Sequence, residues 1–118
     1  MEYKKESQSM VCPYDYHVHF YFDQNTVTSA RQICEDVRDK FSVPMGRVHD
    51  KNVGPHPRWS CVLTVPVEKF GDVISWVSLN RAGLTVFIHP NTGDDLKDHR
   101  DHAIWMGEML ALDLTVFD

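Results

Sequence analysis

Tyr14-Asp15-Tyr16-His17-Val18-His19-Phe20-Tyr21-Phe22 is the stretch on which the fold turns. Side chains alternate across a strand, so Tyr16, Val18, Phe20 and Phe22 share one face while Asp15, His17, His19 and Tyr21 share the other. The first face is apolar and belongs to a core. The second sets two imidazoles, a carboxylate and a phenol on neighbouring positions of rigid backbone, which is how a metal site can begin. Open faces of antiparallel strands also carry polar residues for no further reason, so the pattern alone leaves both readings standing.

Outward from this strand, the chain of 118 residues suits one domain, large enough to bury roughly two thirds of its unfolded surface. With 42% hydrophobic and 25% charged residues it has the composition of an ordinary soluble globular protein. Residues 1–12 are polar and aperiodic and predict a flexible N-terminal tail closed by Pro13. The formal net charge is -5, and Lys and Arg are scattered, so the basic footprint of a nucleic-acid-binding protein is missing. Neither a spanning segment of roughly 20 apolar residues nor a signal-peptide core stands out, and a cytoplasmic protein is expected. Cys12, Cys34 and Cys61 form no CxxC pair; Cys34 and Cys61 fall in helix and strand patterns as small core residues.

After the first strand, Asp23 to Thr26 offer capping side chains, and Val27, Ala30, Ile33, Val37 and Phe41 recur at helical spacing. The spacing predicts a helix over 26–40 that stops before Val43-Pro44. Residues 47–51 and 58–65 predict two strands joined by Asn52-Val53-Gly54-Pro55-His56-Pro57. Pro66 can open a second helix with Phe70, Val73, Ile74 and Val77 as its buried stripe, ended by Ala82-Gly83. Residues 84–89 predict a fourth strand, with Leu84, Val86 and Ile88 on one face and Thr85, Phe87 and His89 on the other. Asn91 to Asp94 is a turn and cap before a third helix running through about Met106. Residues 110–117 offer a further strand.

The order βαββαβ plus a C-terminal helical extension matches an α+β, ferredoxin-like sandwich with an antiparallel sheet in the order 4-1-3-2. In that order the end of the fourth strand lies beside the start of the first, so His89 and His17 become neighbours. The sheet face away from the two main helices must be covered by the extension, a site or a second subunit. Phe87 on that face and the apolar tail 110–117 predict a homodimer.

Seven histidines are many for this length, and the topology gathers His17, His19 and His89 on one surface. Neutral imidazoles suit iron, zinc, copper or nickel, and three on one side of an ion leave positions open. Asp15 is the nearest carboxylate alternative. His56, stiffened by the prolines beside it, could act as a ligand, a proton carrier or a substrate contact. His99 and His102, three apart on a predicted helix, share a face and could cover the same pocket, although their charged surroundings equally describe a solvated helix. Trp59, Trp76 and Trp105 are expected as core or interface anchors.

Four motifs in order, residues 14–22, Val53-Gly54-Pro55-His56-Pro57, His89-Pro90-Asn91-Thr92-Gly93-Asp94 and Asp98-His99-Arg100-Asp101-His102-Ala103-Ile104-Trp105-Met106-Gly107, resemble the small DOPA 4,5-dioxygenase family of fungi and bacteria. The resemblance implies that residues 13–118 form a single domain of that type and that the protein is an oxidoreductase. The implied reaction is extradiol ring opening of a catechol such as L-DOPA with ferrous iron and molecular oxygen, in a dimerising ferredoxin-like fold. From strand geometry, and not from the resemblance, His17, His19 and His89 are expected around the metal and His56 or His99 in proton transfer. His56, His99, His102 and Tyr21 are expected at the substrate. Zinc or nickel could replace Fe(II) in a purified sample. A non-catalytic dimeric module binding a metal or small molecule, and a zinc-dependent or metal-free enzyme, are the competing readings.

Overall fold

The alternation in residues 14–22 becomes a strand, β1 (Asp15–Phe22), at the centre of a four-stranded antiparallel sheet. The computed structural model describes residues 13–118; the expected tail of residues 1–12 lies outside that range. After β1 come α1 (Val27–Phe41), β2 (Trp59–Pro66), α2 (Phe70–Asn80), β3 (Val86–Asn91), α3 (Asp95–Arg100) and β4 (Ile104–Met106). The sheet order is β2-β1-β3-β4.

One face of the sheet is packed by α1 and α2. Val18, Phe20 and Phe22 of β1 meet Cys61, Leu63 and Val65 of β2, Val86 and Ile88 of β3, and Ala30, Ile33, Cys34 and Val37 of α1. Val73 and Val77 of α2 close the layer, and Tyr16 rests on Phe70 with ring centroids 4.1 Å apart. Each of the buried Val, Leu, Ile and Phe side chains contributes about 1.5–3 kcal/mol. Phe20, with no exposed surface, is the position where truncation to alanine should cost most, about 3–5 kcal/mol.

Local chemistry sets both ends of α1, the first with a residue the sequence offered as a cap and the second with Ser42 and Lys69, which it did not. Asp23 Oδ1 accepts from the backbone N–H groups of Asn25 at 2.8 Å and Thr26 at 3.1 Å, turning the chain into α1. At the far end Ser42 takes a left-handed φ of 55°, and Lys69 Nζ donates to the carbonyl oxygens of Phe41 at 2.9 Å and Ser42 at 3.2 Å. Carbonyls left over at a helix end are thereby satisfied.

The central arrangement agrees with expectation: the strand containing residues 58–65 lies on one side of β1 and the strand containing residues 84–89 on the other. Both sheet edges differ. Residues 47–51 form no regular strand, and only an isolated bridge, Met45 to Leu63, marks that edge. Gly46 N–H donates to Val62 O in the register of that bridge, whereas His49 N–H reaches Ser60 O, one residue out of step. A slip of one residue interrupts a ladder. Pro44 can give no N–H, and a Cβ on Gly46 would come within 2.8 Å of Val62 Cγ1, so this segment follows β2 without repeating its pattern.

The second difference concerns the C-terminal part. The third helix stops at Arg100 instead of running to Met106, and Ile104 to Met106 form β4, pairing Ile104 with Ile88, Trp105 with Phe87 and Met106 with Val86. An open edge of β3 and a β-branched and aromatic pair outweigh the helical continuation. Residues 110–117 add no strand; Leu114–Phe117 is a single 3-10 turn. The tail instead folds over the sheet face opposite the helices, where Asp113 N–H donates to Pro55 O at 2.9 Å. Phe87 is buried within one chain. No helix of the described residues is long and apolar enough to cross a membrane.

Candidate metal centre

β1 turns His17 and His19 away from α1 and α2, and strand register sets His89 directly opposite His17. One nitrogen from each of the three imidazoles lies within 4.8 Å of the others. His19 Nε2 and His89 Nε2 are 3.2 Å apart. With metal–imidazole bonds of about 2.0–2.1 Å, that separation subtends about 100° at a shared ion, between the square and the tetrahedral angle. Three imidazole donors gathered this closely could hold one metal ion.

The proton arrangement agrees. A backbone carbonyl only accepts, so His89 Nδ1, 2.9 Å from Pro90 O, carries the ring hydrogen and leaves its Nε2 lone pair facing His19. Without metal, His19 Nε2–H donates to that lone pair; an ion would take the place of this proton. Fixing a ligand histidine through its other nitrogen is the usual way its orientation is held.

Burial keeps the imidazoles neutral. It pushes His89 down to about 3, partly opposed by the Pro90 carbonyl and assisted by His99 and His17. It pushes His56 down to about 4, with His99, His49 and His17 adding to the shift. His19 lies well below the ordinary histidine value because it is buried and ringed by His56, His89, His17 and His99. His17 is lowered by burial while Asp15 pulls it back up. Neutral lone pairs are what a metal requires.

The flanking residues come from two further elements. His56 sits in the turn closed by its own N–H to Val53 O at 3.0 Å, its ring centroid 4.2 Å from that of His19. Its Nδ1 is 2.7 Å from the Tyr21 hydroxyl. α3 carries His99, whose ring centroid is 3.9 Å from that of His89 and 4.4 Å from that of Phe117. His99 Nδ1 is 2.7 Å from Asp95 O, so by the same argument Nδ1 holds a hydrogen, and in the neutral ring Nε2 has the lone pair. Phe87 and Trp105, centroids 4.7 Å apart, make the apolar wall. A cavity of about 190 Å³ beside His99 is lined by Trp105, Leu110, Leu112 and Leu114 among others.

Not every residue expected here arrives. His102 lies beyond the end of α3, is exposed, and lines a separate cavity of about 410 Å³ with Tyr16, Pro90 and Ile104. Asp15 is outside the group of three, and its Oδ1 accepts from Asn91 Nδ2 at 2.6 Å. Asp98 was not singled out by the sequence, where it belongs to a charged run. It is nevertheless buried, accepting from Thr92 N–H at 2.8 Å and from Thr92 Oγ1 at 2.6 Å. This clamp ties α3, and with it His99, to the end of β3. A Thr followed six residues later by an Asp is the only trace of it in the sequence.

The chain is similar to known proteins over most of its length. Residues 16–116 match the model of the Dopa 4,5-dioxygenase family. The chain is 34% identical over 111 residues to the DOPA 4,5-dioxygenase of Amanita muscaria, an alignment covering 86% of this chain and 48% of that protein. It is 38% identical over 114 residues to an uncharacterized 21.2 kDa protein of Botryotinia fuckeliana, covering 87% and 62%. The chain thus spans less than two thirds of either relative's length. Among solved structures, a candidate dioxygenase of Nostoc punctiforme superposes with a TM-score of 0.86 at 36% identity, covering 88% of this chain and 90% of that one.

Proposed function

This chain belongs to the Dopa 4,5-dioxygenase family, and from that premise we propose that it is a ring-opening dioxygenase. Its substrate in this reading is a catechol such as L-DOPA, opened by extradiol cleavage with molecular oxygen, and ferrous iron is held by His17, His19 and His89. The observation that carries the reading is the cluster of three neutral imidazoles on one sheet face. Iron bound there supplies the redox chemistry that lets oxygen react with the ring. The chain's own residues do the rest. His99 Nε2, with its lone pair kept free by the Asp95 carbonyl, accepts a proton from a catechol hydroxyl. Phe87 and Trp105 keep water from the reacting ring. We also propose a homodimer, supported by the exposed apolar side chains of Ile104, Met109 and Val116 along the C-terminal part.

The test is anaerobic loading with ferrous iron followed by oxygen uptake with a panel of catechols that includes L-DOPA. Uptake that depends on both iron and one of the catechols is expected. Full iron occupancy with no uptake across the panel would remove the dioxygenase reading and leave a binding module.

A further inference from the structure

Three imidazoles of the site have one ring nitrogen committed to another group of the fold, and the partners are not alike. His89 and His99 each point Nδ1 at a backbone carbonyl, Pro90 O at 2.9 Å and Asp95 O at 2.7 Å. A carbonyl has no hydrogen to give, so both rings carry theirs on Nδ1 and offer a lone pair from Nε2. His56 points Nδ1 at a phenol, the Tyr21 hydroxyl at 2.7 Å. A phenol can donate or accept, so the direction has to be decided by its other bonds.

Tyr21 is 1% exposed, and among the described residues its hydroxyl has no hydrogen-bond partner other than His56. If His56 donated, the Tyr21 O–H would be a buried donor with nothing to meet, which costs more than the bond is worth. If Tyr21 donates, its hydrogen is satisfied and the one left over is the Nε2–H of His56. That group sits on a ring beside His19, where a ligand of the metal cluster can accept from it.

We infer that Tyr21 is a positioning residue: its hydroxyl donates to His56 Nδ1 and holds His56 as the Nε2–H form, opposite to His89 and His99. The two imidazoles that flank the ligand nitrogens then have different work. His99 presents a lone pair and takes a proton. His56 presents an N–H and hydrogen-bonds an anionic oxygen, such as the oxygen of a deprotonated catechol hydroxyl. The identity of that ligand rests on the function proposed above; the arrangement of hydrogens does not. Tyr21 then does not contact the substrate, and His56 does not serve as the base.

Long-range proton–nitrogen NMR of the metal-free and zinc-loaded protein, labelled with nitrogen-15 in histidine, tests this directly. In the wild type, His56 should show an unprotonated Nδ1 and a protonated Nε2, while metal-free His89 and His99 show the reverse. In Tyr21→Phe the His56 signals should move towards a mixture of both forms, with the His99 pattern retained as proof that the site is still folded. A wild-type His56 protonated on Nδ1, or a Tyr21→Phe pattern identical to wild type, would overturn the inference. Should Tyr21→Phe fail to fold, the wild-type spectrum decides alone. In the iron-loaded enzyme, Tyr21→Phe should lower kcat/KM with a catechol about tenfold, the worth of one well-placed hydrogen bond, with iron content unchanged. Wild-type protein that takes up no oxygen with any catechol would defeat the proposed function while leaving the NMR result intact.

Discussion

Lowering the pH of the metal-free protein from 7 to 5 should weaken the fold by about 4 kcal/mol, and the reason lies in the imidazole cluster. In the folded chain His89 is held down to about 3 and His56 to about 4, against an ordinary 6.5. At pH 5 the unfolded chain therefore binds protons on both residues that the folded chain refuses. Stability falls wherever the unfolded state binds more protons as pH decreases, at about 1.4 kcal/mol per unit per proton. The stabilisation is complete above the unfolded value and drains away from about 6.5 towards 3 to 4. The pH 5 point lies about 1.5 units into that window, so each residue gives up about 2 kcal/mol. His19, lowered well below its ordinary value, acts with the same sign. Asp23, Asp39, Asp101 and Asp113, all lowered from 3.8, are silent here because their contribution is lost only at lower pH. Urea unfolding with chelator present, at pH 7 and pH 5, measures the difference. A domain of this kind has about 5–15 kcal/mol in total, so the midpoint should move strongly, and less in His56→Gln. Equal midpoints at the two pH values would refute the claim that these imidazoles are buried neutral.

Other consequences can be checked separately. Asp98→Ala leaves the Thr92 N–H and hydroxyl without their acceptor; two bonds of this kind are worth about 3 kcal/mol, so hydrogen exchange in α3 should quicken about a hundredfold while β1 stays protected. His17→Ala and His89→Ala should each lose divalent metal measured by elemental analysis, and full retention in both would exclude the three-histidine site. Phe20→Ala should lower stability in urea by about 3–5 kcal/mol, without altering the imidazole signals at the other face. Light scattering at micromolar concentration should give twice the chain mass of 13.7 kDa; a single chain mass would remove the homodimer.

What could be read from sequence was whatever repeats locally. Alternation along residues 15–22 needs only strand geometry, and it separated the core face from the histidine face correctly. His89 followed because chain order leaves few ways to place its strand, and the register found, His17 opposite His89, is the expected neighbour relation. Errors arose where a partner elsewhere decides the conformation. Ile104-Trp105-Met106 is too short to show a period, and it becomes a strand because the edge of β3 is waiting for it. With the helix shortened to Arg100, the spacing that put His99 and His102 on one face no longer applies, and His102 leaves the site. Asp98 looked like part of a solvated charge run because its partner, Thr92, lies before the helix and not one turn along it.

A physical order underlies that division. The helix-covered face of the sheet is built from residues that prefer burial wherever they meet, so composition and period nearly determine it. The opposite face holds imidazoles that have to be covered without being protonated, and the cover is made of α3, the Trp105 side chain of β4 and the tail. These pieces are short and gain little from their own propensity; α3 has six residues and β4 has three. They are held by contacts to the rest of the domain, Asp98 to Thr92, Asp113 to Pro55 and Trp105 to Phe87, and to one another, Phe117 to His99. Removing one of those contacts should therefore loosen the cover before it unfolds the domain. Metal affinity and the low imidazole values should then change together at nearly constant global stability, which separates residues that cover the site from residues that build the sheet beneath it.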